Sequence, residues 1–181
     1  MSKTSISYLD EVWNLISGCT KVSPACEDCP AAHYAAFRGR HLPAYQSLAH
    51  SEVRCHWDKL EEPSHWHKPR RVGVAFMGDL FHKAVPDIFL ADVFQRMADC
   101  PQHTFLVLSK RPERMYSFLD IQEGLGVVAK MTGYQYPLPN VWLGVTVENR
   151  DALWRADILR QIPAAHRWLS LEPLLEDLGE I

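Results

Sequence analysis

No stretch of the chain approaches the roughly 20 consecutive apolar residues that a membrane-spanning helix needs, so no span of the bilayer is expected. Nor is there a surplus of positive charge. The net charge is −3 with the nine histidines counted neutral, which excludes a global basic field drawing in nucleic acid. Only local clusters remain, such as Lys68, Arg70 and Arg71 beside Trp66, for which an exposed basic turn is the commoner explanation than a phosphate contact. The opening residues Met1 to Ser7 lack the apolar core of a secretory signal, and a cytoplasmic setting with reduced thiols is the expectation. Cysteine is scarce: five in 181 residues, an odd number, which fits a disulfide framework poorly. This length, with 47% hydrophobic residues, suits one domain over residues 1–181 with a substantial core.

The cysteine that is present is concentrated. Cys19, Cys26 and Cys29 fall within eleven residues, spaced C-x6-C-x2-C. Lys21, Ser23, Pro24, Glu27 and Asp28 lie between them, polar or turn-forming residues that describe a loop able to wrap three sulfurs around one centre. A cysteine used as a small core hydrophobe has no reason to recruit two neighbours across such residues. A bound metal or cluster is the favoured reading, and it takes two forms. Structural zinc asks for four ligands, and His33 offers the fourth. An iron–sulfur cluster normally takes four thiolates, so three would leave one iron open to a ligand. Local spacing leaves both open. Cys55 and Cys100 read as ordinary thiols, and the histidines between 41 and 67 as loop surface.

From residue 71 the pattern is regular. Val72 to Met77 is an apolar run ending at Gly78-Asp79, followed by a helix opened by Pro86. Thr104 to Leu108 ends at Ser109-Lys110-Arg111, with Pro112 opening the next helix. Val141 to Val145 ends at Thr146, Glu148 and Asn149 before a helix containing Leu153, Ile158 and Leu159; Arg167 to Leu169 then leads to Ser170 and Glu172. Strand, polar turn and helix repeat, and runs without alternation suit a parallel sheet covered by helices on both faces. A strand over Val12 to Ile16, running into the cysteines, makes five. A helix over Ala31 to Arg38, an irregular segment 40–70 and a looser insert 124–139 complete the chain. An α/β barrel, whole or partial, is favoured over an open doubly wound sheet. In either, the residues just past the C-terminal ends of the strands gather on one face, where sites form. Each has an ordinary competitor: Asp79 as a turn cap, Glu148 and Asn149 as helix caps, Lys110 and Arg111 as a solvated pair.

Taken together, the cysteine loop after Gly18, the segments Met77 to His82, Ser109 to Arg114, Val141 to Asn149 and Leu169 to Leu175 resemble the phage-encoded three-cysteine-motif proteins, a family related to radical S-adenosylmethionine enzymes. The resemblance implies a partial (βα) barrel of about five parallel strands, truncated at the C-terminus where the family continues with a Gly-Gly-Glu-bearing strand. It implies a 4Fe–4S cluster on Cys19, Cys26 and Cys29, with S-adenosyl-L-methionine on the open iron, cleaved reductively to a 5′-deoxyadenosyl radical. Gly78 and Asp79 would then face the methionine amino group, Ser109, Lys110 and Arg111 its ribose or carboxylate, and Glu148 and Glu172 ribose hydroxyls or a cationic substrate group. Pro30 stands where the family carries an aromatic residue. The partners implied are an electron donor, a substrate the family does not reveal (nucleic acid or nucleotide among the classes) and a second chain over the open sheet edge. The expectation from another class is a zinc-stabilised module that binds nucleic acid or protein without catalysis.

Overall fold

The computed structural model describes residues 4–37, 39, 41–42, 51–120, 133 and 136–180. Arg38, residues 43–50 of the irregular segment and residues 124–132 of the insert lie outside the described residues. The elements are β1 (Glu11–Trp13), β2 (Ile16–Ser17), α1 (Pro30–Phe37), β3 (Arg54–Cys55), β4 (Arg71–Val74), α2 (Asp87–Asp99), β5 (Thr104–Ser109), α3 (Pro112–Leu119), β6 (Val141–Thr146), α4 (Trp154–Gln161) and β7 (His166–Ser170). Among the described residues, no helix is long and apolar enough to cross a membrane.

Five strands form one all-parallel sheet in the order β1-β4-β5-β6-β7. The order follows the chain without reversal. Right-handed connections between such strands put the intervening helices on one face, as in part of a barrel; a doubly wound sheet would reverse its order midway. Helices on both faces, the expectation from the unbroken apolar runs, are thus not what this order gives. The register explains which residues are core. Trp13, Val74, Val107 and Leu143 are paired across four strands and each is at most 1% exposed. They pack with Phe89, Phe94 and Met97 of α2 and Met115, Phe118 and Leu119 of α3. The apolar spacing of α2 and α3 exists to meet that row. On the opposite face the neighbouring row contains Gly73, Leu106 and Trp142, and the Trp168 ring lies so close over Gly144 that a Cβ there would meet it at 2.4 Å.

Two local expectations are corrected. The first strand is broken in two: β1 joins the large sheet, whereas β2 turns away to pair antiparallel with β3. The supposedly irregular segment therefore supplies a strand, and Leu15 and Ile16 are fully buried where β2 meets it. The second strand ends at Val74 instead of Met77, because Ala75 adopts φ +59, a left-handed conformation incompatible with a strand. At the opposite end of the sheet from the strand C-termini, Arg70 pairs with buried Glu11 at 2.7 Å and Arg71 with Asp10 at 3.3 Å. Those pairs belong to the end of such a fold that serves stability.

Candidate functional site

Two glycines bring the cysteine loop onto the strand ends. Gly18, at φ +83, forms a parallel bridge with Gly78. A Cβ on Gly78 would lie 2.7 Å from Ile16 Cγ2 and 3.1 Å from the Gly18 carbonyl oxygen, so only glycine allows this approach. Beyond Gly18 the loop folds on itself. The Cys26 amide donates to the Ser23 carbonyl at 2.9 Å, Pro24–Cys26 makes one 3-10 turn, and Lys21 pairs with Glu27 at 2.5 Å. Pro30, with no amide hydrogen to satisfy, opens α1, and the His33 amide donates to the Cys29 carbonyl at 3.0 Å.

All three cysteines line one cavity of about 230 Å³. Gly78 and Asp79 after β4 share it, as do Ser109 ending β5 with Lys110 and Arg111 beyond it, Thr146 ending β6, and Glu172 after β7. On its other side the loop borders a second cavity of about 290 Å³, reached by His33 from α1. Among the described residues, no three His, Cys, Asp or Glu side chains stand at the spacing of a single-ion site. The three cysteines thus border both cavities.

Asp79 is the hub of the floor. Its Oδ1 accepts from Ser109 Oγ at 2.7 Å and from the Phe81 amide at 3.0 Å; its Oδ2 accepts from Arg111 Nη1 at 2.8 Å and from the Lys110 amide at 3.1 Å. Four donors occupy the carboxylate's lone-pair directions. Asp79 thus organises the β5 turn and has no acceptor position in hand for a ligand ammonium. Ser109 is also committed, since its hydroxyl donates to Asp79 and accepts from the Arg111 amide at 2.9 Å.

Glu148 is brought near the site but not to its wall. It is fully buried and does not line the cavity. Its Oε2 accepts from Arg155 Nη1 at 2.8 Å and its Oε1 stands 3.6 Å from Lys110 Nζ. Burial works to raise this carboxyl, but the Ser23 hydroxyl, Arg155 and Lys110 outweigh it and hold it below the usual carboxylate range. Lys110 Nζ is also 3.4 Å from Ser23 Oγ. It therefore ties the cysteine loop to the turn after β6. Glu172 is different again: an exposed carboxylate on the cavity lip.

Arg111 reaches across to the loop. Nη1 lies 3.5 Å from Cys19 Sγ, while Nη2 donates to the Thr20 carbonyl at 2.8 Å and to Thr20 Oγ1 at 3.1 Å. Burial pushes the Cys19 thiol up, against the pull of Arg111. Burial also works to raise Cys26, but a hydrogen bond from the Val22 backbone and the Ser23 hydroxyl and amide hold that thiol below its ordinary value. Sequence reasoning missed Thr20, Ser23, His82 and Arg155. Thr20 and Ser23 sit inside the cysteine loop itself and are the two that proximity in sequence signals.

A family model described as "Protein of unknown function (DUF5131)" matches residues 3–181. The chain belongs to the DUF5131 family. No curated protein and no solved structure matches it. The match spans every element of the DUF5131 sheet and the whole cysteine loop, while the family's description assigns no activity.

Proposed function

We propose that this DUF5131 chain is a radical S-adenosylmethionine-type iron–sulfur enzyme, with a 4Fe–4S cluster on Cys19, Cys26 and Cys29. One observation carries the reading: three thiols from one loop share a cavity with polar side chains delivered by four separate strand ends. A structural metal needs no such company. Three thiolates bordering one cavity are a donor set suited to a cluster whose irons each take their own ligand, with one iron left for a second molecule. The cluster and S-adenosyl-L-methionine, once bound, would supply reductive cleavage of the sulfonium to a hydrogen-abstracting 5′-deoxyadenosyl radical.

The chain's residues would divide the remaining work. Arg111 donates to Cys19 and anchors the loop through Thr20. Lys110 holds the loop's Ser23 against Glu148. Asp79 fixes both cations through the β5 turn, and Glu172 offers the exposed carboxylate for the methionine ammonium. That assignment moves the ammonium-binding role from Asp79, whose lone pairs are used, to Glu172.

The second reading is a zinc-stabilised binding module using His33 as fourth ligand. His33 stacks on Phe37 with ring centroids 6.5 Å apart and stands 3.9 Å from Asp28. It lines the second cavity with Cys19, Cys26 and Cys29, and a zinc ion would have to draw these side chains together, since no such group among the described residues stands at single-ion spacing. Anaerobic reconstitution separates the two. The cluster reading expects a brown protein with about four irons per chain, and loss of that iron in the Cys19→Ala, Cys26→Ala and Cys29→Ala variants. A colourless protein that retains one zinc and unfolds on chelation refutes it and supports the module.

A further inference from the structure

The hydrogen-bond directions around Thr20 leave one donor unspent. The Ala84 amide donates to His82 Nδ1 at 3.1 Å. A ring nitrogen that accepts carries no proton, so His82 is neutral with its proton on Nε2. That N–H faces Thr20 Oγ1 at 2.9 Å. Arg111 Nη2, which can only donate, faces the same oxygen at 3.1 Å. The two donors take both lone pairs of the hydroxyl. Its own hydrogen must point elsewhere, and among the described residues no protein acceptor meets it. Thr20 lines both cavities that the three cysteines border, and the guanidinium that fixes its orientation also lies 3.5 Å from Cys19 Sγ.

We propose that Thr20 is a redox-positioning residue, its hydroxyl held by His82 and Arg111 as a permanent hydrogen-bond donor to a sulfur at the Cys19 corner of a bound iron–sulfur cluster. The inference rests on the iron–sulfur reading and adds to it a residue that is neither a ligand nor a substrate contact. Its physical basis is that hydrogen bonds to cluster sulfurs help set the reduction potential. A hydroxyl dipole with its positive end on sulfur stabilises the more negative, reduced state. Arg111, whose Nη1 lies 3.5 Å from Cys19 Sγ, acts in the same sense. His82 acts at one remove, by denying Thr20 any role except donor.

The test uses the full chain reconstituted anaerobically with iron and sulfide, as wild type, Thr20→Val and Thr20→Ser. Valine keeps the shape and loses the hydroxyl; serine keeps the hydroxyl. EPR-monitored potentiometry is expected to show unchanged iron content in all three. In Thr20→Val the ratio of reduced to oxidised cluster at fixed potential should fall about tenfold, equivalent to about 59 mV for one electron. Thr20→Ser should return to within about twofold of wild type. A second arm uses the metal-free wild-type chain, where nitrogen-15 NMR of His82 is expected to report the neutral Nε2-protonated tautomer. Intact clusters with equal potentials in wild type and Thr20→Val overturn the inference and leave the enzyme reading standing. A Thr20→Ser shift as large as that of valine also overturns it, as does an Nδ1-protonated His82 in the metal-free chain. Failure of the wild-type chain to assemble any cluster removes both.

Discussion

Replacing Asp79 with asparagine isolates the hub on which the site is built. The substitution keeps size and one carbonyl acceptor, but it removes the charge opposite Arg111 and turns an NH2 group towards existing donors. The pair is secluded: the Arg111 and Asp79 side chains are 13% and 6% exposed, with Nη1 and Oδ2 2.8 Å apart. Breaking a buried ion pair by removing one partner costs about 3–5 kcal/mol, mostly because the surviving charge stays buried without compensation. Against a total stability of about 5–15 kcal/mol for an ordinary domain, that is a large fraction. Urea unfolding followed by circular dichroism should therefore show a markedly lower midpoint for Asp79→Asn. The double variant Asp79→Asn/Arg111→Met tests the cause. With no uncompensated cation left, its loss should fall short of the sum of the two single losses by at least about 1.5 kcal/mol, within the coupling range for groups in direct contact. A loss below about 1 kcal/mol for Asp79→Asn, or a double variant whose loss equals the sum of the two single losses, would refute the reasoning.

Gly78→Ala should destabilise by about 1–3 kcal/mol, because its Cβ would stand 2.7 Å from Ile16 Cγ2 and press on the Gly18 backbone. The same variant should lose reconstituted iron, and normal iron with normal stability would contradict the close-approach argument. A second test concerns acid. His56, His82 and His103 are each held below the ordinary value of 6.5, chiefly by burial. The unfolded chain takes up protons near that pH that the folded chain refuses, so stability is complete above pH 6.5 and falls as pH drops below it. Urea midpoints measured from about pH 7.5 to about pH 5 should decline, and a flat profile would refute this. Glu148 adds a further loss as the pH falls below 4.5, through its depressed folded pKa, and Glu148→Gln should blunt that more acidic limb.

Most of the parallel sheet is legible in the sequence, because its signals are local. Each apolar run is closed by a polar turn, and Pro86 and Pro112 stand at the helix starts that follow. Such punctuation is carried by neighbouring residues and needs no tertiary information. The same holds for the cysteine spacing and for the expectation that strand-end residues share a face, since parallel strands force that outcome. The break between β1 and β2 was hidden, because β2 finds its partner only at Arg54–Cys55, across the whole intervening segment.

The α/β class, the parallel strands and the placing of Gly78, Asp79, Ser109, Lys110, Arg111 and Glu172 at strand ends were legible from residue order alone, and these residues line one cavity with the three cysteines; Glu148, expected among them, does not. What each side chain has left to offer depended on the assembled fold. Asp79 turned out to have spent its lone pairs, Glu148 to stand behind Lys110, and Thr20 to meet His82 from 62 residues away. The physical reason is that hydrogen-bond capacity is finite and directional. A residue's type says how many donors and acceptors it brings, but which of them remain for a ligand depends on neighbours that only folding assembles.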